Sequence, residues 1–292
     1  MLGLTACAGS SPEAPRPQAT EAIEASDAEL AFVAGDSNIF AIAAIGGSPQ
    51  RITSGPGFDT RPDWSPDQGR LTFVRSESPY DPGHVTLVNP DGTGLDQLTI
   101  GEASFWDVSW SPDGEEMAVT KGDVDGIRVY LMNADGSGLR RLVGIQSAAP
   151  SWSPDGSLIA FEGNPMDREP DGIYRVDVRT GATTLLVAAP ETLNQSPAWS
   201  PDGSRIAFIR IRVGTEGEQT ITEGTDLFVM DTGGTNLRRL ASDVSVFSPT
   251  WSPDSQQILF ASRGQLYTVD ADGGATRPLG NPPVEGSDPD WS

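Results

Sequence analysis

The chain is expected to fold as an all-β, six-bladed propeller, and three observations lead there. The tetrapeptide Trp-Ser-Pro-Asp recurs at Trp64–Asp67, Trp110–Asp113, Trp152–Asp155, Trp199–Asp202 and Trp251–Asp254, and the chain stops inside another copy at Trp291-Ser292. Successive tryptophans lie 46, 42, 47, 52 and 40 residues apart, and a period of roughly 40–50 residues built of short β runs predicts one four-stranded blade per repeat. The two ends are also complementary. Leu30–Val33, Asn38–Ile42 and Gln50–Thr53 read as three strands lacking an inner one, while Asp288–Ser292 reads as an inner strand with nothing after it. The sixth blade is therefore expected to be closed by the N-terminal three strands plus the C-terminal strand, which leaves no open edge.

Each element has a local reason, seen most simply in the second repeat. Phe105–Trp110 is extended and ends in the tryptophan. Ser111-Pro112-Asp113-Gly114 is a β-turn, with proline setting φ at the second position and glycine at the fourth. Met117–Thr120 is a short apolar strand, Lys121–Gly126 a loop, Ile127–Met132 the third strand, Asn133–Gly138 a turn and Leu139–Val143 the outer strand. Continuous apolar runs suit strands covered on both faces by neighbouring blades. The same frame predicts second strands at Leu71–Val74, Leu158–Phe161, Ile206–Ile209 and Ile258–Ala261, and third strands at His84–Val88, Ile173–Asp177, Leu227–Met230 and Leu266–Val269. Outer strands are expected at Asp96–Thr99, Thr183–Val187, Leu237–Ala241 and Thr276–Gly280. Each repeat tryptophan is expected to pack between two blades. The propeller takes residues 29–292.

Composition narrows the function. Nineteen basic against 41 acidic residues give a net charge of −22. That argues against nucleic acid, because phosphate binding needs clustered Lys and Arg, and it favours basic partners or cations. The single cysteine, Cys7, and single histidine, His84, exclude an intramolecular disulfide and a zinc site of the His/Cys type. A Ser-His-Asp triad would have to use His84, which opens the run His84–Val88 and reads as a strand-end residue. No stretch approaches the roughly 18 consecutive apolar residues of a membrane span.

Residues 1–28 read differently. Leu4-Thr5-Ala6-Cys7 resembles the bacterial lipobox, in which the cysteine is lipidated, although only six residues precede it and they hold no basic segment. The following Pro-, Ala- and Glu-rich stretch cannot bury a core and reads as a disordered tether. Cys7 is thus the candidate lipidation site of a signal-peptide-bearing, membrane-anchored lipoprotein.

Pro150–Gly156 with Ile159-Ala160-Phe161, and Pro197–Gly203 with Ile206-Ala207-Phe208, give the block Pro-x-Trp-Ser-Pro-Asp-Gly followed by Ile-Ala-Phe. Asn133–Gly138 and Asp270-Ala271-Asp272-Gly273 supply an acidic turn after the third strand. Together these resemble the TolB-type propeller repeat over about Glu29 to Ser292. The resemblance implies a periplasmic, six-bladed, non-enzymatic propeller of the kind that binds an envelope lipoprotein and colicins. TolB also carries an N-terminal α/β domain, for which residues 1–28 are too short and too rich in proline. Similar repeats occur in prolyl oligopeptidase-like peptidases beside a hydrolase domain that this chain lacks.

Candidate site residues follow from blade geometry. Inner strands line the axial channel. The residue before each tryptophan is Asp63, Ser109, Ser151, Ala198, Thr250 or Asp290, and three before it stand Arg61, Asp107, Ala149, Ser196, Ser248 and Asp288. Blades six and one are neighbours, so Asp63 and Asp290 are expected to meet near the axis as candidate Ca²⁺ ligands; no other cofactor is required. The Asp135 and Asp272 turns read as hairpins rather than calcium loops. Connections between second and third strands vary in length (Lys121–Gly126, Glu162–Gly172, Arg210–Thr225), which marks their side as the working face. At its mouth the candidate ligand-binding residues are Arg61, Phe105, Trp106, Asp107, Gln195, Phe247 and Asp288. Trp106 is the tryptophan outside the repeat register and a candidate for stacking on a ligand. The expected function is a monomeric, extracytoplasmic protein- or peptide-binding scaffold with an envelope protein or peptide as partner. The alternative is a carboxylate-based glycoside hydrolase or lyase, which needs only two acids roughly 5–10 Å apart.

Overall fold

The computed structural model describes residues 30–43, 47–78, 81–101, 104–163, 171–216, 219–242, 244, 248–280 and 283–291. Cys7, the tether at 1–28 and Phe247 lie outside the described residues. The strands are β1 (Leu30–Ala34), β2 (Asn38–Ile42) and β3 (Gln50–Arg51); β4 (Phe58–Trp64), β5 (Leu71–Ser76), β6 (His84–Val88) and β7 (Asp96–Gln97); β8 (Ser104–Trp110), β9 (Glu116–Asp123), β10 (Gly126–Asn133) and β11 (Arg140–Arg141). Then come β12 (Ser147–Trp152), β13 (Leu158–Gly163), β14 (Gly172–Asp177) and β15 (Thr183–Ala188); β16 (Thr192–Trp199), β17 (Arg205–Glu216), β18 (Gln219–Asp231) and β19 (Arg238–Ser242); β20 (Thr250–Trp251), β21 (Gln257–Ser262), β22 (Gln265–Asp270) and β23 (Arg277–Pro278); and β24 (Ser287–Trp291).

These make six antiparallel four-stranded sheets. Five are consecutive repeats, blades 1 to 5 starting at β4, and the sixth has the order β24-β1-β2-β3. Leu30 pairs with Trp291 and Ala31 with Asp290, so head and tail of the polypeptide share one sheet as expected. The core lies between blades rather than within one. Trp64 is buried in a cluster with Ala31, Ile39 and Ala41 of blade 6 and Leu71 and Phe73 of its own blade. Trp199 likewise meets Ala160 and Ile173 of blade 3, and Trp251 meets Ala207 and Leu227 of blade 4.

The repeated tetrapeptide has a structural job. In each turn the serine hydroxyl donates to the aspartate, from Ser65 to Asp67 at 2.7 Å through Ser252 to Asp254 at 2.6 Å. The same hydroxyl oxygen accepts the N–H that opens the next strand, for example Arg205 N at 2.9 Å. The serine bonds lower the pKa of Asp67, Asp113 and Asp155, and they also pull down that of Asp202 against its burial.

A second regularity ties neighbouring blades. The backbone N–H of a repeat tryptophan donates to the side chain one residue before the tryptophan of the previous blade: Trp64 to Asp290 (2.9 Å), Trp110 to Asp63 (2.7 Å), Trp199 to Ser151 (3.1 Å) and Trp291 to Thr250 (3.3 Å). At the remaining two blades the indole N–H donates instead to the previous backbone carbonyl, Trp152 to Ser109 (3.2 Å) and Trp251 to Ala198 (2.9 Å).

Two expected loops are strands. Lys121–Gly126 is a tight hairpin in which Lys121 pairs with Arg128 and only Val124 and Asp125 turn the chain. Arg210–Thr225 is an extended β-arm in which Ile211 pairs with Thr225 and Glu216 with Gln219. Ile211, Val213, Thr222 and Thr225 carry strong β preference and keep the ladder going past Gly214 and Gly224. The outer strands of blades 1, 2, 5 and 6 are two residues long, shorter than expected.

Candidate functional site

The site is created by one backbone irregularity repeated around the axis. Every inner strand except β20 slips register against its neighbour about three residues before the tryptophan. Four residues at that point, Arg61, Ala149, Ser196 and Asp288, have φ between 43° and 55°, a left-handed conformation that side chains other than glycine avoid. Each precedes a proline (Pro62, Pro150, Pro197, Pro289), which disfavours the right-handed region for the residue before it and donates no ladder bond. Bulges of this kind re-aim side chains, and here Arg61 and Asp288 border both the channel and its mouth. In β8 the slip falls between Phe105 and Asp107, so Trp106 is the extra residue.

Two cavities result. The channel, about 250 Å³, is lined by inner-strand residues of all the blades, including Asp63 and Asp290. The mouth, about 590 Å³, is lined by Arg61, Trp106, Asp107, Glu162 and Asp288 among others. Both share Arg61, Asp107 and Asp288, so they form one continuous recess.

Arg61 is its electrostatic centre. Its Nε lies 3.3 Å from Asp107 Oδ1, and it hydrogen-bonds the Ser248 hydroxyl of blade 5. Burial opposes its charge, but Asp107, Asp288 and Glu162 more than offset this and raise its pKa. Asp107 Oδ2 accepts the Ala149 N–H at 3.3 Å, and Glu162 Oε2 accepts the Ser196 N–H at 3.2 Å. Residues from all six blades are thereby linked where the channel meets its mouth. Burial, then repulsion from Asp107, pushes the Glu162 carboxyl up to about 7 despite the Ser196 bond and the attraction of Arg61.

Glu162 escaped the sequence expectations. Ten residues after their tryptophans the other blades carry Val74, Thr120, Ile209 and Ala261. An acid at a position otherwise occupied by small or apolar residues was a readable signal. Among the expected residues, Arg61, Trp106, Asp107 and Asp288 come together. Phe105 borders the mouth too, yet its side chain is 1% exposed and packs with Val74, Val85 and Met117 between blades. Alternation along the strand puts it opposite the bulged Trp106. Gln195 pairs with Ile209 inside blade 4 and borders neither cavity. The Trp106 ring lies against Gly122, where an added Cβ would meet it at 2.7 Å.

Asp63 and Asp290 interact as expected. Burial and mutual repulsion raise Asp63 well above the usual carboxylate range, and burial raises Asp290 to about 6. Each spends one oxygen on a tryptophan N–H. Among the described residues no third acid, histidine or cysteine joins them. Calcium takes six to eight oxygens, so an ion held by this pair would draw the rest of its ligands from hydroxyls, carbonyls or water in the channel.

With fold and site in place, the sequence matches the profile of the TolB beta propeller domain over residues 26–169 and again over 149–292. The chain belongs to the TolB β-propeller family. A TolB homolog of Chlorobium luteolum is 30% identical over 51% of this chain and 33% of that one. An uncharacterised protein of Agrobacterium fabrum is 28% identical over 42% of this chain and 46% of that one. The chain thus spans less than half the length of these curated relatives. Among solved structures, TolB from Acinetobacter baumannii superposes with a TM-score of 0.73 at 21% identity, covering 90% of this chain and 66% of that one. An oligogalacturonate lyase in complex with manganese superposes at 0.55 with 14% identity, covering 82% and 69%. Within this TolB-family propeller the Trp-Ser-Pro-Asp turns recur in five blades, whereas Arg61, Trp106, Asp107, Glu162 and Asp288 break the repeat and meet in the recess.

Proposed function

We propose that this TolB-family propeller is a non-enzymatic binding protein working outside the cytoplasm, whose mouth takes an extended peptide or loop of an envelope protein. The observation that carries the reading is the recess around Arg61. It joins a half-buried guanidinium, three carboxylates and the Trp106 ring on an inner ring of bulged strands. A peptide brings donors, acceptors and charges to such a surface, and the ring pays no reorganisation cost on binding. Anchoring through a lipidated Cys7 belongs to the same reading; membrane fractionation unchanged by Cys7→Ala would remove that part.

The test is capture from native envelope fractions with immobilised wild type and with Arg61→Ala. A protein retained by wild type and lost by the variant supports the reading. Identical eluates refute it.

One observation favours the second reading, a carboxylate-based glycoside hydrolase or lyase. Glu162, raised to about 7 and in electrostatic contact with Asp107, has the proton affinity a general acid needs. Turnover of an acidic or neutral glycan by wild type, abolished in Glu162→Gln, would establish it over the binding reading.

A further inference from the structure

The face opposite the mouth carries the Trp-Ser-Pro-Asp turns and the turns after the third strands. There the six-fold repeat permits an internal comparison. Between blades 4 and 5 the groove over Trp251 is filled by two arginines of blade 4. The Arg205 guanidinium lies 5.0 Å from the Trp251 ring centroid. It donates to the backbone carbonyl of Ser255 at 2.8 Å and to Asp272 Oδ1 at 3.2 Å. Arg238 donates to the carbonyls of Ala271 and Asp272 at 2.7 and 2.9 Å.

Blades 1 and 2 hold the same scaffold without the filling. Trp110, Gly114, Ala134 and Asp135 stand where blade 5 has Trp251, Ser255, Ala271 and Asp272, and all four line an open groove of about 550 Å³. The position of Arg238 is taken by Asp96, paired with Leu87 as Arg238 is with Val229. One charge of the filling is thereby reversed. The position of Arg205 is Arg70, which is exposed at the groove edge and makes no ring contact of the Arg205 kind. Asp67 and Asp113 complete a wall of four carboxylates against one guanidinium. The Trp110 indole N–H is buried without an acceptor, as are those of Trp64, Trp199 and Trp291, so it does not distinguish this groove.

We infer that the groove between blades 1 and 2 is a second recognition site, which receives an arginine side chain presented by a segment of another polypeptide. The guanidinium stacks on Trp110 and donates to Asp135 and Asp96, as Arg205 and Arg238 do for Trp251 and Asp272. A planar fork with several donors satisfies ring, carboxylate and carbonyl together, which an ammonium does less well. The site is independent of the mouth, since the two cavities share no residue.

The test is a titration of the ¹⁵N-labelled protein with acetyl-Gly-Arg-Gly-amide, reading the tryptophan indole resonances, with Trp110→Phe assigning the relevant one. The Trp110 signal is expected to shift saturably while that of Trp251 stays put, and the glutamine analogue of the peptide is expected to do nothing. Asp96→Arg rebuilds the filled arrangement of blades 4 and 5, so it should abolish the response with the melting temperature unchanged. Arg70→Gln should retain it. Absence of a Trp110 shift in the wild type, an equal shift with the glutamine peptide, or a response persisting in Asp96→Arg would each overturn the proposal. A response gained only in Arg70→Gln would also overturn it, because Arg70 would then occupy its own groove. Self-association abolished by Asp96→Arg would make the occupant a second copy of this chain, and it would equally refute a foreign partner.

Discussion

Asp290 accepts the backbone N–H of Trp64 at 2.9 Å, joining the last strand to the first repeat across 226 residues of chain. Asp63 does the same for Trp110, and the two acids repel one another at the axis. Ring closure therefore relies on a hydrogen bond whose acceptor resists ionising. Both acids have pKa values above those of an unfolded chain, so above about pH 4 the unfolded state releases protons that the folded state retains. Stability is lost as pH rises from about 4 through the folded pKa of Asp290, about 6, and stays lower above it. Asp290→Asn keeps an oxygen for Trp64 and removes the charge. It should stabilise the protein by up to roughly 2–3 kcal/mol at pH 8 and by much less at pH 5. Thermal melts of both proteins at the two pH values decide this; a gain independent of pH contradicts it.

Removal of residues 288–292 should be far more damaging, because β1 loses its partner and blade 6 gains an open edge. Circular dichroism melts are expected to fall sharply for the truncated chain. An unaltered melting temperature would mean that the ring does not depend on β24.

Arg75 forms a paired contact with Asp59, which is 1% exposed, through bonds of 2.6 and 2.7 Å. Arg75→Met strands a buried carboxylate and should cost about 3–5 kcal/mol. Asp59→Leu added to it should recover much of that. A double variant no more stable than the single would rule out charge burial as the cause.

Trp251 is 3% exposed between blades 4 and 5, with Arg205 across its ring. Trp251→Ala should cost about 3–5 kcal/mol. Trp152 is only partly buried, and its loss should cost less. Urea denaturation of the two variants ranks them; the reverse order would show that repeat position, not burial, governs the contribution.

The repeat was legible because each tetrapeptide residue has its own structural demand. Tryptophan fills the wedge between blades, serine and aspartate hold each other, and proline sets the turn. Blade count and closure followed from spacing alone. The site was half legible. Arg61, Asp107 and Asp288 could be placed by counting back from the tryptophans, and Trp106 stood out as the ring outside the register. Phe105 borders the mouth but is packed between blades, because the bulge gives the open position to Trp106, and no single sequence announces a bulge. Glu162 was not legible from the inner strands because it belongs to a second strand, at the end that reaches the mouth. The β17–β18 arm was expected as a long connection, because it exceeds the blade frame, yet its threonines, valine and isoleucine carry the β preference that extends the ladder.

Glu162 and Gly122 together test whether the mouth binds. With Glu162 titrating near 7, the recess gains a negative charge between about pH 6 and 8. A cationic peptide captured there should bind several-fold more tightly at pH 8 than at pH 6, and Glu162→Gln should flatten that dependence without abolishing binding. Gly122 has an ordinary strand conformation, so alanine is acceptable to the backbone, yet its Cβ would sit 2.7 Å from the Trp106 ring. Gly122→Ala should therefore displace the indole, weaken binding and shift Trp106 fluorescence, with the melting temperature nearly unchanged. The two variants differ in what they touch. One alters charge and leaves shape; the other alters shape and leaves charge. If isothermal titration finds both without effect on a peptide that Arg61→Ala abolishes, the ligand lies deeper in the channel, against Asp63 and Asp290 rather than against Trp106.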